Sequence, residues 1–254
     1  MNTVPSCTPS FALVVPTVYG LMILNRHDIN QTNALVKLGR AIDHDEIVLL
    51  QTIARLLGDD FEFLDIGANF GTYTLGLAPL APRGKVHAFE PQRIIHHMLA
   101  GSVALNGLTH VHCHNLAVGK TEGRIEVPQF NYTEPMNFGS VEFLPEQTEP
   151  LSQTRSHDPD KVEHVGLVTI DGFGFKRARM MKIDVEGMEM DVLDGATETI
   201  RRCRPVMLVE FIKADMEALH QRIAGFGYGI HESRGNFLCI PNELSGRIHV
   251  SRGG

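Results

Sequence analysis

Between Phe61 and Val118 short apolar runs alternate with helical patterns, and only a few residues join each to the next. Phe61 to Ile66 reads as a buried strand, Gly67 to Gly71 as a tight loop, and Thr72 to Ala78 as a helix stopped near Pro79 and Pro82. Lys85 to Glu90 is a second strand, Gln92 to Leu105 a helix closed by Asn106 and Gly107, and Val111 to Val118 a third strand. This β-α-β-α-β order with short connections implies parallel strands joined by right-handed crossovers. It is the first half of a doubly wound α/β sheet.

The rhythm breaks between Pro128 and His164, a stretch with Pro135, Pro145, Pro150 and Pro159 among polar residues, which reads as an insertion or lid. Its Tyr132, Phe138 and Phe143 are expected to give apolar contact to an organic ligand, and Asn137 and Ser140 polar orientation. Alternation then returns: strand Met180 to Val185, helix Met188 to Cys203, strand Val206 to Phe211 after Pro205, and helix Ala214 to Ala224. Tyr228 to Glu232 and Phe237 to Ile240, around Arg234-Gly235-Asn236, read as a hairpin, so a mostly parallel sheet should end on an antiparallel strand.

Upstream, residues 1–41 are weakly patterned, with extended pieces at Phe11 to Val15 and Leu21 to Leu24. From Asp43, apolar Ile47, Leu50, Ile53, Ala54 and Leu57 follow a helical period, Asp43 and Glu46 have capping-box spacing, and Gly58 stops the run. The expected organisation is an N-terminal extension and helix over 1–58 packing on a main domain over 59–254, with the lid-like insertion at about 128–164.

Charge and cysteine usage narrow the partners. A net charge of −7 with no Lys/Arg block argues against a surface that tracks phosphates, so nucleic acid is not expected. Cys7, Cys113, Cys203 and Cys239 form no CxxC pair and read as reduced residues of a cytoplasmic protein rather than a zinc cage or disulfide scaffold. No Lys or Arg precedes Arg26, and Pro16 cuts the apolar Phe11 to Val15, so a secretory signal is not expected. No apolar run reaches the ~18 residues of a membrane span, and no membrane partner is expected.

Asp65-Ile66-Gly67-Ala68-Asn69-Phe70-Gly71 leaves a strand and opens a helix, where a doubly wound sheet binds nucleotides. Gly67 and Gly71 allow close backbone approach, and the helix start offers free N–H groups. A dinucleotide fingerprint needs glycine where this chain has Asn69, which argues against NAD. Glu90, ending the second strand, can accept hydrogen bonds from both hydroxyls of a ribose. An acidic loop without a pyrophosphate cradle suits S-adenosylmethionine, with its adenosine, sulfonium and amino-acid tail. The blander alternative is that Asp65 and Glu90 cap helices and the glycines serve packing.

These residues resemble the successive motifs of FkbM-type S-adenosylmethionine-dependent methyltransferases: the Asp65 to Thr74 run, Phe89-Glu90-Pro91, Asn115 to Gly119, Lys182 to Glu189, and Val192 to Ala196. The resemblance implies a class I methyltransferase-like fold in which Asp65, Gly67, Asn69 and Gly71 surround the methionine part and Glu90 holds the ribose. By the same resemblance the backbone near Leu116 and Ala117 lines the adenine, although many class I enzymes carry an acid where this chain has Leu116.

The carboxyl end of the fourth strand faces the methyl group in that architecture. Asp184 sits there, followed by Glu186, and these are the candidate catalytic residues. Glu186 as a helix cap and Glu189 as a solvated side chain are the plainer alternatives. A divalent cation shared with Glu210 is the weaker option, and no metal is assigned. None of the histidines earns a role; His87, His112 and His114 fall in strands, and His96 and His97 in a helix. The expected activity is O-methylation of a small-molecule natural product or saccharide. The alternatives are N-methylation, metal-assisted methylation of a diol, or a binding module without chemistry.

Overall fold

The computed structural model describes residues 10–143, 147–155 and 161–248. Cys7, Pro145 and Pro159 lie outside those residues. Parallel strands β3 (Glu62–Ile66), β4 (Lys85–Phe89), β5 (Val111–His114), β9 (Ala178–Ile183) and β10 (Val206–Glu210) form the main sheet, which β11 (Tyr228–Ser233) and β12 (Asn236–Pro241) complete. Its seven strands run in the order β11-β12-β10-β9-β3-β4-β5, and β12 is antiparallel to both β10 and β11. The expected closing hairpin and antiparallel strand are both there.

Side chains alternate along the strands, so the sheet is covered twice. Phe63, Met180 and Leu208 face helices α2 (His44–Leu57), α3 (Thr72–Leu77) and α4 (Arg93–Leu105). Leu64, Met181 and Met207 face α5 (Ile170–Phe173), α6 (Glu189–Gly195), α7 (Thr197–Cys203) and α8 (Met216–Ala224) on the opposite side. Burial on both faces is why the strand sequences read as continuous apolar runs.

The third strand departs from the sequence reading. Val111 to Val118 is two strands, β5 in the main sheet and β6 (Leu116–Val118) in a second, three-stranded sheet with β7 (Gly123–Pro128) and β8 (Val162–Val168). Asn115 stands at the break, and its side-chain amide donates to the carbonyls of Glu90 and Pro91 at 2.9 Å each. That tether turns the chain off the sheet edge. The Met188 to Cys203 helix is likewise divided at Ala196, where the Thr197 hydroxyl donates to the Asp194 carbonyl at 2.9 Å.

The N-terminal segment forms a hairpin, β1 (Ala12–Thr17) with β2 (Gly20–Asn25), and a helix α1 (Gln31–Leu38) that periodicity did not reveal. The hairpin is held on α4 by bonds from Ile23 N–H to Ser102 Oγ (2.8 Å) and from Leu21 N–H to Asn106 Oδ1 (2.9 Å). Between β7 and β8, Phe138 is fully buried and stacks on Tyr132 with centroids 5.1 Å apart. These two aromatics are core, not ligand contacts.

Candidate active site

The strand order reverses between β3 and β9, and their carboxyl ends open on a narrow slot, as expected at a topological switch point. Gly67, Asn69, Glu90, Leu116 and Ala117 all line it. Gly67 has φ +83°, and a Cβ there would lie 1.7 Å from the carbonyl oxygen of Asp184, so only glycine lets the β3 and β9 ends meet. Two of the expected residues stand elsewhere. Asp65 does not line the slot: it is wholly buried behind the loop, where it accepts a 2.5 Å hydrogen bond from the Thr74 hydroxyl. Gly71 is a packing glycine, since a Cβ would sit 2.4 Å from Leu99 Cδ1 of α4.

Glu90 is 4% exposed and shapes the loop as well as the slot. Its carboxylate accepts from Asn69 N–H at 2.9 Å and from Gln92 N–H at 2.8 Å. Burial still outweighs those bonds and pushes its pKa up to about 7. Gln92, absent from the sequence reading, also lines the slot, donating its amide N–H to the Phe138 carbonyl at 2.8 Å. Its Oε1 and the Oδ1 of Asn69 are buried acceptors without a partner among the described residues.

The acidic end of β9 is more organised than its sequence suggests. Asp184 accepts from Lys182 Nζ at 2.9 Å, and oxygens of Asp184, Glu186 and Glu210 lie within 4.8 Å of one another. One cation could bridge them, yet two ammonium groups already serve the cluster: Lys182 on Asp184, and Lys213 in contact with Glu186. Despite the cost of burial, Asp184 and Glu210 hold Lys182 well above the ordinary lysine value. Burial and Asp184 push Glu210 up to about 9 against the pull of Lys182. Burial and Asp184 also push Glu186 up to about 8 against Lys213.

Neither of the plainer alternatives at this loop holds. Glu189, 1% exposed, is not solvated: its Oε1 accepts from the N–H groups of Val185 (3.1 Å) and Gly187 (3.2 Å). Glu189 therefore secures the start of α6. Glu186, at φ +58°, does not cap the helix but lines both cavities, paired with Lys213.

A second cavity of about 440 Å³ adjoins the slot, a volume suited to a small organic ligand. The two share Asn69, Gly139, Asp184 and Glu186. Asn30, Gln31 and Asp43 wall it from the N-terminal segment, and Asn137 and Ser140 from the stretch after β7. Phe143 lines the slot rather than the second cavity. The sequence offered no signal for the N-terminal wall, because residues 28–31 reach the site through a contact with Phe138, whose N–H donates to Asp28 at 3.3 Å.

A main sheet in this order, with one antiparallel strand and a glycine-bearing loop at the switch point, defines a class I methyltransferase-like protein. The Methyltransferase FkbM domain matches residues 65–230, and the chain belongs to that family. Among its relatives, Methyltransferase sdnD of Sordaria araneosa is 26% identical over 170 residues, covering 58% of this chain and 64% of sdnD. Methyltransferase 1 of Beauveria bassiana (strain ARSEF 2860) is 24% identical over 149 residues, covering 54% of this chain and 59% of its own. The chain thus spans about three fifths of the length of the curated relatives it matches. The crystal structure of methyltransferase FkbM from Methylobacillus flagellatus KT aligns with a TM-score of 0.49 at 18% identity, covering 72% of this chain and 43% of that one. Among the described residues no helix is long and apolar enough to cross a membrane.

Proposed function

We propose that the chain is an S-adenosylmethionine-dependent O-methyltransferase acting on a hydroxyl of a small natural product or saccharide. One observation carries the reading: the slot and the second cavity meet at Asp184 and Glu186, so carboxylates stand where donor and acceptor would touch. The slot suits the donor. Glu90 can accept from ribose hydroxyls, Leu116, Val118 and Phe143 offer apolar surface to a purine, and the unpartnered oxygens of Asn69 and Gln92 await donors. When bound, S-adenosylmethionine supplies a methyl group whose bond to sulfur breaks with the electron pair left on sulfur, as the acceptor oxygen forms the new bond to carbon.

The acceptor hydroxyl must lose its proton, and a carboxylate of the pair takes it. The same carboxylates disfavour an amine acceptor, because neighbouring negative charge holds an amine protonated and without a nucleophilic lone pair. The segment between β7 and β8 acts as a lid, contributing Val141 and Phe143 to the slot and Asn137 and Ser140 to the second cavity. The free thiols of Cys113, Cys203 and Cys239 fit a reducing, cytoplasmic setting. The test is calorimetry with S-adenosylmethionine, then labelled cofactor with a panel of glycosides and polyhydroxylated metabolites read by mass spectrometry. No cofactor binding to folded protein, or label found only on amines, overturns it.

A further inference from the structure

Lys213, in the loop between β10 and α8, is a buried lysine with contacts on two sides. Its side chain is 5% exposed. On one side its ammonium meets Glu186. On the other it donates to the Ser140 carbonyl at 3.1 Å and lies 3.4 Å from Glu142 and 3.5 Å from Glu149. Glu142 in turn organises its own segment, accepting from Thr148 N–H at 2.8 Å, from the Thr148 hydroxyl at 2.7 Å and from Gln147 Nε2 at 3.1 Å.

Burying an ammonium is costly unless it is paired, and here the pairing spans two elements distant in sequence. Glu186 belongs to the loop after β9, whereas Ser140, Glu142 and Glu149 belong to the segment after β7. Glu186 has left-handed backbone, a conformation that persists where surrounding contacts hold it, and the Lys213 ammonium is one such contact at the boundary of the two cavities. We propose that Lys213 is a positioning residue that holds Glu186 at the donor–acceptor boundary and fastens the segment after β7 over both cavities, making closure of the site and placement of the carboxylate one event.

The proposal rests on the reading of Glu186 as an acceptor-side carboxylate. The other groups facing Glu186 are Asp184 at the end of β9, Glu210 at the end of β10, Glu149 from the segment after β7, and Lys182 through Asp184. Asp184 and Glu149 raise Glu186, and removing Lys213 takes away the ammonium that holds it down. Although burial opposes its own charge, Glu186, Glu149 and Glu142 keep Lys213 above the ordinary lysine value, so it is a fixed cation at neutral pH.

The experiment compares the full chain with Lys213→Met, Lys213→Arg and Glu186→Gln, with S-adenosylhomocysteine added as the probe. Carbon-13 NMR of glutamate carboxyls, with the Glu186 signal assigned by its loss in Glu186→Gln, should show Glu186 titrating about one pH unit or more higher in Lys213→Met and back near the parent in Lys213→Arg. Limited proteolysis, read at cuts within 129–143 and 147–155, should be several-fold faster in Lys213→Met. Should that variant not fold, the isosteric Glu186→Gln reads the same tether from its other end and should also be cut faster. Unchanged titration in Lys213→Met, or unchanged cleavage in every folded variant, overturns the proposal. A Glu186→Gln protein that methylates at the parent rate while its segment is cut faster instead removes the catalytic reading of Glu186 and leaves the tether standing.

Discussion

On the proposed function, Glu90 makes the donor slot sensitive to pH in a calculable way. Its carboxyl is held at about 7 in the ligand-free protein because burial penalises the charge more than two backbone N–H bonds favour it. On the proposed function two ribose hydroxyls donate more strongly to the ionised form, in charge-assisted bonds, and a protonated carboxyl offers them fewer acceptor sites, so a proton on Glu90 opposes the ligand. The sign follows: affinity is full above about pH 7 and falls as the pH drops below it. With simple competition the apparent Kd rises by 1 + 10^(pKa − pH), so affinity weakens about tenfold between about pH 8 and about pH 6, or ~1.4 kcal/mol. Folding stability from the same group runs the other way. A raised folded value means its contribution is fully present below the unfolded value of 4.5 and is lost as pH rises through about 7.

Glu90→Gln separates these effects. The amide must turn an NH₂ toward either Asn69 N–H or Gln92 N–H, which removes one loop bond and costs about 1 to 3 kcal/mol of stability. It also removes the charge from the ribose contacts, which should weaken binding by roughly 10- to 100-fold at about pH 8. Isothermal titration with S-adenosylhomocysteine across that pH range reads both. The ligand's own titration is common to the two proteins, so the difference in slope belongs to Glu90. Parallel slopes in parent and variant, or equal affinity in a folded Glu90→Gln protein, refute the assignment.

Asp184→Asn should lower turnover by about 10²-fold or more while S-adenosylmethionine affinity changes only a few-fold, as measured by initial rates beside calorimetry. The same variant should lose thermal stability, because Lys182 then keeps a buried ammonium beside a neutral amide in place of its 2.9 Å carboxylate partner. Gly67→Ala should cost more than about 3 kcal/mol in urea unfolding, because its Cβ falls 1.7 Å from a backbone oxygen; a cost under about 1 kcal/mol would mean the β3 and β9 ends part easily. Burial, with His114 and His112 nearby, lowers His87 to about 3, and burial lowers His114. Their neutral folded forms should therefore cost stability as pH falls from about 7 to 5, by about 1 kcal/mol each after discounting for partial exposure, and His87→Phe should flatten that dependence.

The alternation of buried strands and helices was legible because burial on both faces leaves continuous apolar runs, and Gly and Pro mark their ends. Gly67, Asn69 and Glu90 were legible as slot-lining residues because the loop after β3 and the end of its neighbour β4 open together beside the switch point between β3 and β9. Position in the chain could not separate Asp65, which stabilises the loop from behind, from residues that face the slot. That distinction depends on the direction of one side chain and on Thr74 waiting for it. Nor could pattern show that Glu189 would satisfy the N–H groups of Val185 and Gly187, leaving Glu186 to the cavities. Tyr132 and Phe138 look like ligand contacts in an insertion but are core, because the N-terminal hairpin supplies the apolar surface that covers them: Phe11 stacks on Tyr132 with centroids 6.1 Å apart. Contacts between segments more than a hundred residues apart have no local signature.

The two cavities also differ in where their walls come from. Every residue lining the slot falls between Ile66 and Met188, inside the region that matches the family domain. The second cavity draws Asn30, Gln31, Asp43 and Glu46 from before that region and Arg234 and Asn236 from after it. A donor common to a family needs one slot, built from strand ends whose positions the sheet fixes. An acceptor that differs from member to member needs walls that can change without moving those strands, and peripheral elements provide them. Asp184 and Glu186 lie where the two constructions meet, on a loop fixed by Glu189 below and by Lys182 and Lys213 at its sides. On the proposed function, chemistry is anchored to the ends of the sheet strands while the choice of acceptor is left to segments that pack against the sheet.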